Sequence, residues 1–105
     1  MIDAHIMKEH IESLEPDESD RLKVYHDGRC IIEIFRESFM GDDKIIIATM
    51  AGPWMSMLTT IYDPELSIES FTNILTIKDR NHQCKTVIYC NDFDSMHVGG
   101  EDEEE

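Results

Sequence analysis

The chain has 105 residues, enough for one domain with its own core, and its 41% hydrophobic and 30% charged content excludes wholesale disorder. Its formal net charge is −14 and it holds nine lysines and arginines in all, which excludes the clustered basic surface that contact with nucleic-acid phosphates requires. Cys30, Cys84 and Cys90 fall at spacings that announce neither a disulfide framework nor a zinc motif, so free thiols, a reducing cytoplasmic setting and no metal or cofactor are expected.

The charge is unevenly placed. Residues 1–20 hold seven acids and one lysine, residues 91–105 hold seven acids and no base, and the stretch between them is nearly neutral. In the first of these segments, IDAHIMKEHIESLEP, the residues Ile2, Ile6, Met7, Ile11 and Leu14 recur at helical spacing, with Glu9, Glu12 and Glu15 on the far side. The pattern predicts an amphipathic helix of about four turns. Pro16 ends it, and Asp17, Glu18 and Asp20 form an acidic link. Asp3, Lys8 and Glu9 interrupt any apolar stretch of the kind a secretion signal needs.

In RLKVYHDGRCIIEIFRESF, Asp27-Gly28 stands between β-branched-rich segments and accepts the positive φ angles of a type I′ turn. The expected register sets His26 opposite Arg29, Tyr25 opposite Cys30 and Val24 opposite Ile31. MGDDK reads as a second turn, giving a three-stranded antiparallel meander. Residues 45–62, IIIATMAGPWMSMLTTIY, carry no charge over eighteen positions, a length at the lower edge of a membrane span. Gly52-Pro53 near the middle, the hydroxyl residues and the β-branched ends favour two buried strands joined by a turn, so no membrane contact is expected.

Asp63 as N-cap, Pro64 at the first helical position, Glu65 in the first turn, and Leu66, Ile68, Phe71, Ile74 and Leu75 on one side predict a helix over 64–76. NILTIKDRNHQCKTVIYC also reads as a hairpin turning at DRNH, so residues 74–78 are contested between helix and strand; a strand is expected over 84–90. The sum is an α+β fold, with the N-terminal amphipathic helix and a second helix packed on an antiparallel sheet of about four to five strands. Residues 1–90 form the globular domain, and residues 91–105, with Asp92, Asp94, Glu101, Asp102 and Glu103, form an acidic and flexible C-terminal tail.

Few residues suggest chemistry. His82, Cys84 and Cys90 are the closest set of metal-ligating types, and their spacing does not match a structural zinc site. Asn91, Asp92 and Asp94 alternate as in a calcium loop but lack its glycine and distal glutamate. No phosphate-binding loop, G-x-S-x-G or H-E-x-x-H is present, and Glu33, inside an apolar strand, is the acid most open to a raised pKa. A non-enzymatic protein is expected.

Two modes of binding fit that expectation. In composition and in its acidic C-terminus the chain is similar to small phage-encoded DNA mimics that inhibit restriction or CRISPR machinery. That likeness implies a basic partner site on a DNA- or RNA-handling protein, met by Glu9, Glu12, Glu15, Asp17, Glu18 and Asp20 and by Asp92, Asp94, Glu101, Asp102 and Glu103. The alternative is an adaptor or assembly subunit that binds through Trp54, Met55 and Met57, or dimerises by strand addition at a sheet edge.

Overall fold

A computed structural model describes residues 1–51 and 54–100, leaving aside the side chain of Phe39; Gly52, Pro53 and residues 101–105 lie outside it. In chain order the elements are α1 (Ala4–Ser13), β1 (Arg21–His26), β2 (Arg29–Phe39), β3 (Asp42–Ala51), β4 (Trp54–Tyr62), β5 (Glu65–Ile68), β6 (Ile74–Lys78), β7 (Cys84–Tyr89), a 3-10 turn over Cys90–Asp92, and β8 (Ser95–Gly99). The strands form two antiparallel sheets, one ordered β4-β3-β2-β1-β8 and the other β5-β6-β7. The expected α+β fold is therefore corrected to a mostly β fold with one short helix among the described residues.

Helix α1 begins where the sequence provides a cap: the Asp3 carboxylate accepts from the backbone N–H groups of His5 at 2.7 Å and Ile6 at 3.2 Å. It is shorter than the apolar pattern suggests, ten residues rather than four turns, because Leu14 already adopts extended backbone. Ala4, Met7 and Ile11 face the core, while Ile6, expected on the same arc, is 47% exposed. At its C-terminal end the Ile11 carbonyl accepts from the Leu14 N–H at 3.2 Å and also from the Arg36 guanidinium at 2.9 Å, which sets a cation at the negative end of the helix. Asn73 secures the other end by accepting from Ala4 N–H at 2.7 Å and donating to the Ile2 carbonyl at 2.6 Å.

The β1–β2 hairpin turns at Asp27 and Gly28, with φ of 54° and 77°, as a two-residue turn of this type requires. His26 faces Arg29 and Tyr25 faces Cys30, but Val24 faces Ile32 rather than Ile31, because a bulge shifts the register between Tyr25 and Val24. The shift has a clear cause. Without it Leu22 and Val24 would share a face with Glu33 and Ile31; with it they share a face with Ile34 and Ile32, and Glu33 moves to the opposite face. Met40 and Gly41, at φ of 52° and 86°, make the next turn.

The second correction concerns residues 64–76. Asp63 has φ of 47°, which is not the extended backbone of an N-cap, and the chain runs into β5 instead of a helix. Leu66 and Ile68 on β5 face Ile77 and Leu75 on β6, so the apolar residues alternate at period two and the pattern is that of a hairpin. The connecting turn exposes Phe71 completely, whereas the helical reading had placed it on the buried side. The DRNH hairpin forms as the competing reading had it: Asp79 accepts from the backbone N–H groups of Asn81 at 2.8 Å and Gln83 at 3.0 Å. These bonds hold its carboxyl below the usual carboxylate range.

One hydrophobic cluster joins α1 and both sheets, with Met7, Ile11, Leu22, Val24, Ile34, Ile45, Ile47, Ile61, Leu75, Ile77, Ile88 and Cys90 all buried. Residues 95–99, expected within the flexible tail, form β8 along β1, with Val98 opposite Leu22 and Met96 opposite Val24. The polar residues between them hide a strand of which Met96 packs against that core while Val98 stays exposed.

Candidate protein-binding site

The uncharged run splits into two strands with different surroundings. β3 lies between β2 and β4, and buries Ile45, Ile46, Ile47 and Ala48 in succession. β4 lies at the sheet edge, pairs with β3 alone among the described residues, and buries only Ile61. The expected pair of buried strands is thus half corrected: Trp54 is 74% exposed, Met55 48%, Met57 60% and Leu58 54%.

A bulge fixes how these side chains are displayed. Thr49 faces Met57 and Met50 faces Met55, leaving Ser56 as the extra residue, whose hydroxyl donates back to the Thr49 carbonyl at 3.1 Å. Trp54 and Met57 consequently lie on the sheet face that carries Ile61 and the core, while Met55 and Leu58 lie on the other. Both faces of the edge are apolar at this end. At the other end the β6–β7 turn stands beside the strand: Thr60, Tyr62, Asp79, Arg80, Asn81 and Lys85 enclose a cleft of about 260 Å³, with the Arg80 guanidinium 5.2 Å from the Tyr62 ring. The continuous run of exposed residues on β4 is Trp54 to Leu58. Thr59 borders a second cleft of about 260 Å³ between the sheets, whose walls include Ile32, Ile47, Ile88 and Phe93.

The acidic residues differ in their surroundings. Glu9 and Glu12 are exposed on α1, with Glu12 paired to Lys8 at 3.0 Å, and Glu15, Glu18 and Asp20 are exposed on the following link. Asp17 is committed to the fold. Its carboxylate accepts from the Ser38 hydroxyl at 2.6 Å and the Ser38 N–H at 3.2 Å, bonds that hold its pKa below the ordinary value. Asp94 accepts from the Asp27 N–H at 2.6 Å and so ties the β1–β2 turn to the chain before β8. Asp92 borders the cleft between the sheets, and Glu101, Asp102 and Glu103 lie outside the described residues. An open cleft of about 350 Å³ beside Glu12, Glu15, Asp42 and Asp43 contains Arg36, but that guanidinium already serves Ile11 and Asp43.

The residues weighed for chemistry are also accounted for. Glu33 pairs with Arg21 at 2.9 Å, and Arg21 lies 4.3 Å from the Phe35 ring. Cys90 is buried against Met7, with Sγ 4.0 Å from Sδ, and burial pushes its thiol up to about 11; burial raises Cys30 as well. Cys84 and His82 are exposed, and His82 contacts Glu65 at 3.1 Å. His26, Asp27 and Asp94 bring three exposed ligand-type atoms within 4.8 Å of one another, a grouping the sequence did not reveal because it joins a turn to a segment near the C-terminus.

No helix among the described residues is long and apolar enough to cross a membrane. Searches of family models, curated proteins and solved structures found no match to this chain.

Proposed function

We propose that this chain is a small non-enzymatic protein-binding module that docks through the open edge of β4. The observation that carries the reading is the exposure of Trp54, Met55, Met57 and Leu58 on an edge strand with no charged residue in its nine positions. Isolated proteins usually blunt such an edge with lysine, proline or a covering element, and tryptophan and methionine are favoured at interface centres. Large apolar side chains exposed close together in this way mark interaction sites.

Trp54 is the single tryptophan of the chain, so its fluorescence reports on the site directly. On binding, its emission is expected to shift blue, and Trp54→Ala is expected to weaken the complex by about 2 kcal/mol or more. A complex that forms with unshifted emission and is indifferent to Trp54→Ala contradicts docking at β4.

A second reading rests on a separate observation: Glu9, Glu15, Glu18 and Asp20 are exposed and have no salt-bridge partner among the described residues. These carboxylates are available to a basic site on a nucleic-acid-handling protein, which they would occupy in the manner of an inhibitor. The two readings predict opposite behaviour. Carboxylate-driven binding weakens steeply with salt and fails when Glu9, Glu12 and Glu15 become glutamine, whereas docking through Trp54 survives both changes.

A further inference from the structure

We infer that the occupant of the open β4 edge is a second copy of this chain, joined antiparallel so that two five-stranded sheets become one sheet of ten strands. The inference rests on the docking reading above and names its partner.

The first ground is charge. Each copy carries a formal charge of −14, so two copies can meet closely only where neither presents acids. Among the described residues β4 is the one long edge that satisfies this: all nine of its residues are uncharged. The other edges are shorter or charged. β5 has four residues and begins with Glu65, β7 has six residues and contains Lys85, and β8 has five residues. A strand without acids offers a basic partner no electrostatic attraction, whereas an identical strand meets it without repulsion.

The second ground is geometry. A twofold axis perpendicular to a sheet joins like edges antiparallel and keeps each face continuous, so an edge strand is complementary to itself in its main-chain hydrogen bonds. β4 also carries apolar side chains on both faces at its open end, Trp54 and Met57 on one and Met55 and Leu58 on the other. Pairing within Trp54–Leu58 would cover both sets against their own copies. The β6–β7 turn shares a cleft with Thr60 and Tyr62, so the contact is assigned to the end of the strand away from it.

The charge outside β4 has a further consequence. Salt screens repulsion between the two acidic bodies and leaves the apolar contact intact, so self-association strengthens as salt rises. This is the reverse of what the carboxylate-driven reading predicts.

The test is sedimentation equilibrium of the full chain over a wide range of concentration, at low and high salt. The expected result is a monomer–dimer equilibrium that tightens with salt. It should weaken roughly tenfold or more in Met57→Lys/Leu58→Lys, where lysines from two copies meet at the edge, and remain unchanged in Ser95→Lys on β8. Both substituted β4 residues are more than half exposed. Circular dichroism checks that the fold persists, and Trp54→Ala, which adds no charge, gives the same readout should the double variant not fold.

A monomer under every condition overturns the second-copy inference. If that monomer binds another protein with a Trp54-dependent blue shift, the docking reading stands alone; if no such binding occurs, both fall. A dimer that survives the β4 changes but is lost in Ser95→Lys assigns the contact to β8 and overturns the inference.

Discussion

β3 and β4 come from one uncharged stretch of sequence, are joined by two residues, and meet opposite fates. Ile45 on β3 faces Ile61 on β4, and both are buried; toward the Gly52-Pro53 end, Ala48 is fully buried while its neighbour Leu58 is 54% exposed. β3 has strands on both sides and contributes to the core, whereas β4 has one neighbour among the described residues. The difference teaches that an uncharged apolar run reports a strand's composition without reporting its place in the sheet. Place is set by the whole topology, and it decides whether the same residue types stabilise the fold or remain available to a partner.

The largest expected effect is on β3. Ile45→Ala should destabilise the protein by about 2–5 kcal/mol, since a fully buried isoleucine leaves a cavity that neighbours on both sides cannot close. Urea denaturation measures it, and a loss as small as a surface substitution's would break the contrast.

A smaller effect is expected at Cys90, which belongs to the same core. Its folded pKa of about 11 lies above that of a thiol in the unfolded chain, so the unfolded state releases its proton first as pH rises. The stabilising contribution is complete below about pH 8.5 and is lost progressively toward pH 11, on the order of 2 kcal/mol. Comparing the alkaline denaturation profiles of the protein and Cys90→Ala isolates that slope from other titrations. Equal slopes would contradict the burial of the thiol.

The smallest effect is expected on β4. Leu58→Ala in dilute protein should change stability by no more than about 0.5 kcal/mol, because the side chain is more than half exposed. A loss near that of Ile45→Ala would show that β4 is part of the core and would erase the contrast.

Legibility in the sequence followed the same division between local and distant causes. The Asp27-Gly28 turn was readable because both residues suit positive φ, but the bulge that returns Ile32 and Ile34 to the face of Leu22 and Val24 depends on packing across the sheet. The helix over 64–76 was a misreading of genuine local signals. Asp63, Pro64 and Glu65 look like a helix start, yet the period-two pairing of Leu66 and Ile68 with Ile77 and Leu75 prevails. β8 was missed because Met96 and Val98 are isolated among polar residues and gain their strand geometry from β1, about seventy residues earlier in the chain. At the binding surface, Trp54, Met55 and Met57 were identifiable as interface types, but their exposure was not, because no local feature separates an edge strand from a central one. The acids were legible as charge alone: nothing in their sequence shows that Asp17 and Asp94 are held by backbone groups while Glu9 and Glu15 are free to meet a partner.

The central claim is that the Trp54 end of β4 is open in the isolated protein, and acrylamide quenching of Trp54 fluorescence in dilute solution tests it most directly. Emission characteristic of water-exposed indole, quenched nearly as efficiently as a free tryptophan derivative, is the predicted result for a ring 74% exposed. Blue-shifted emission protected from acrylamide in the dilute monomer would place Trp54 inside the fold and contradict the account.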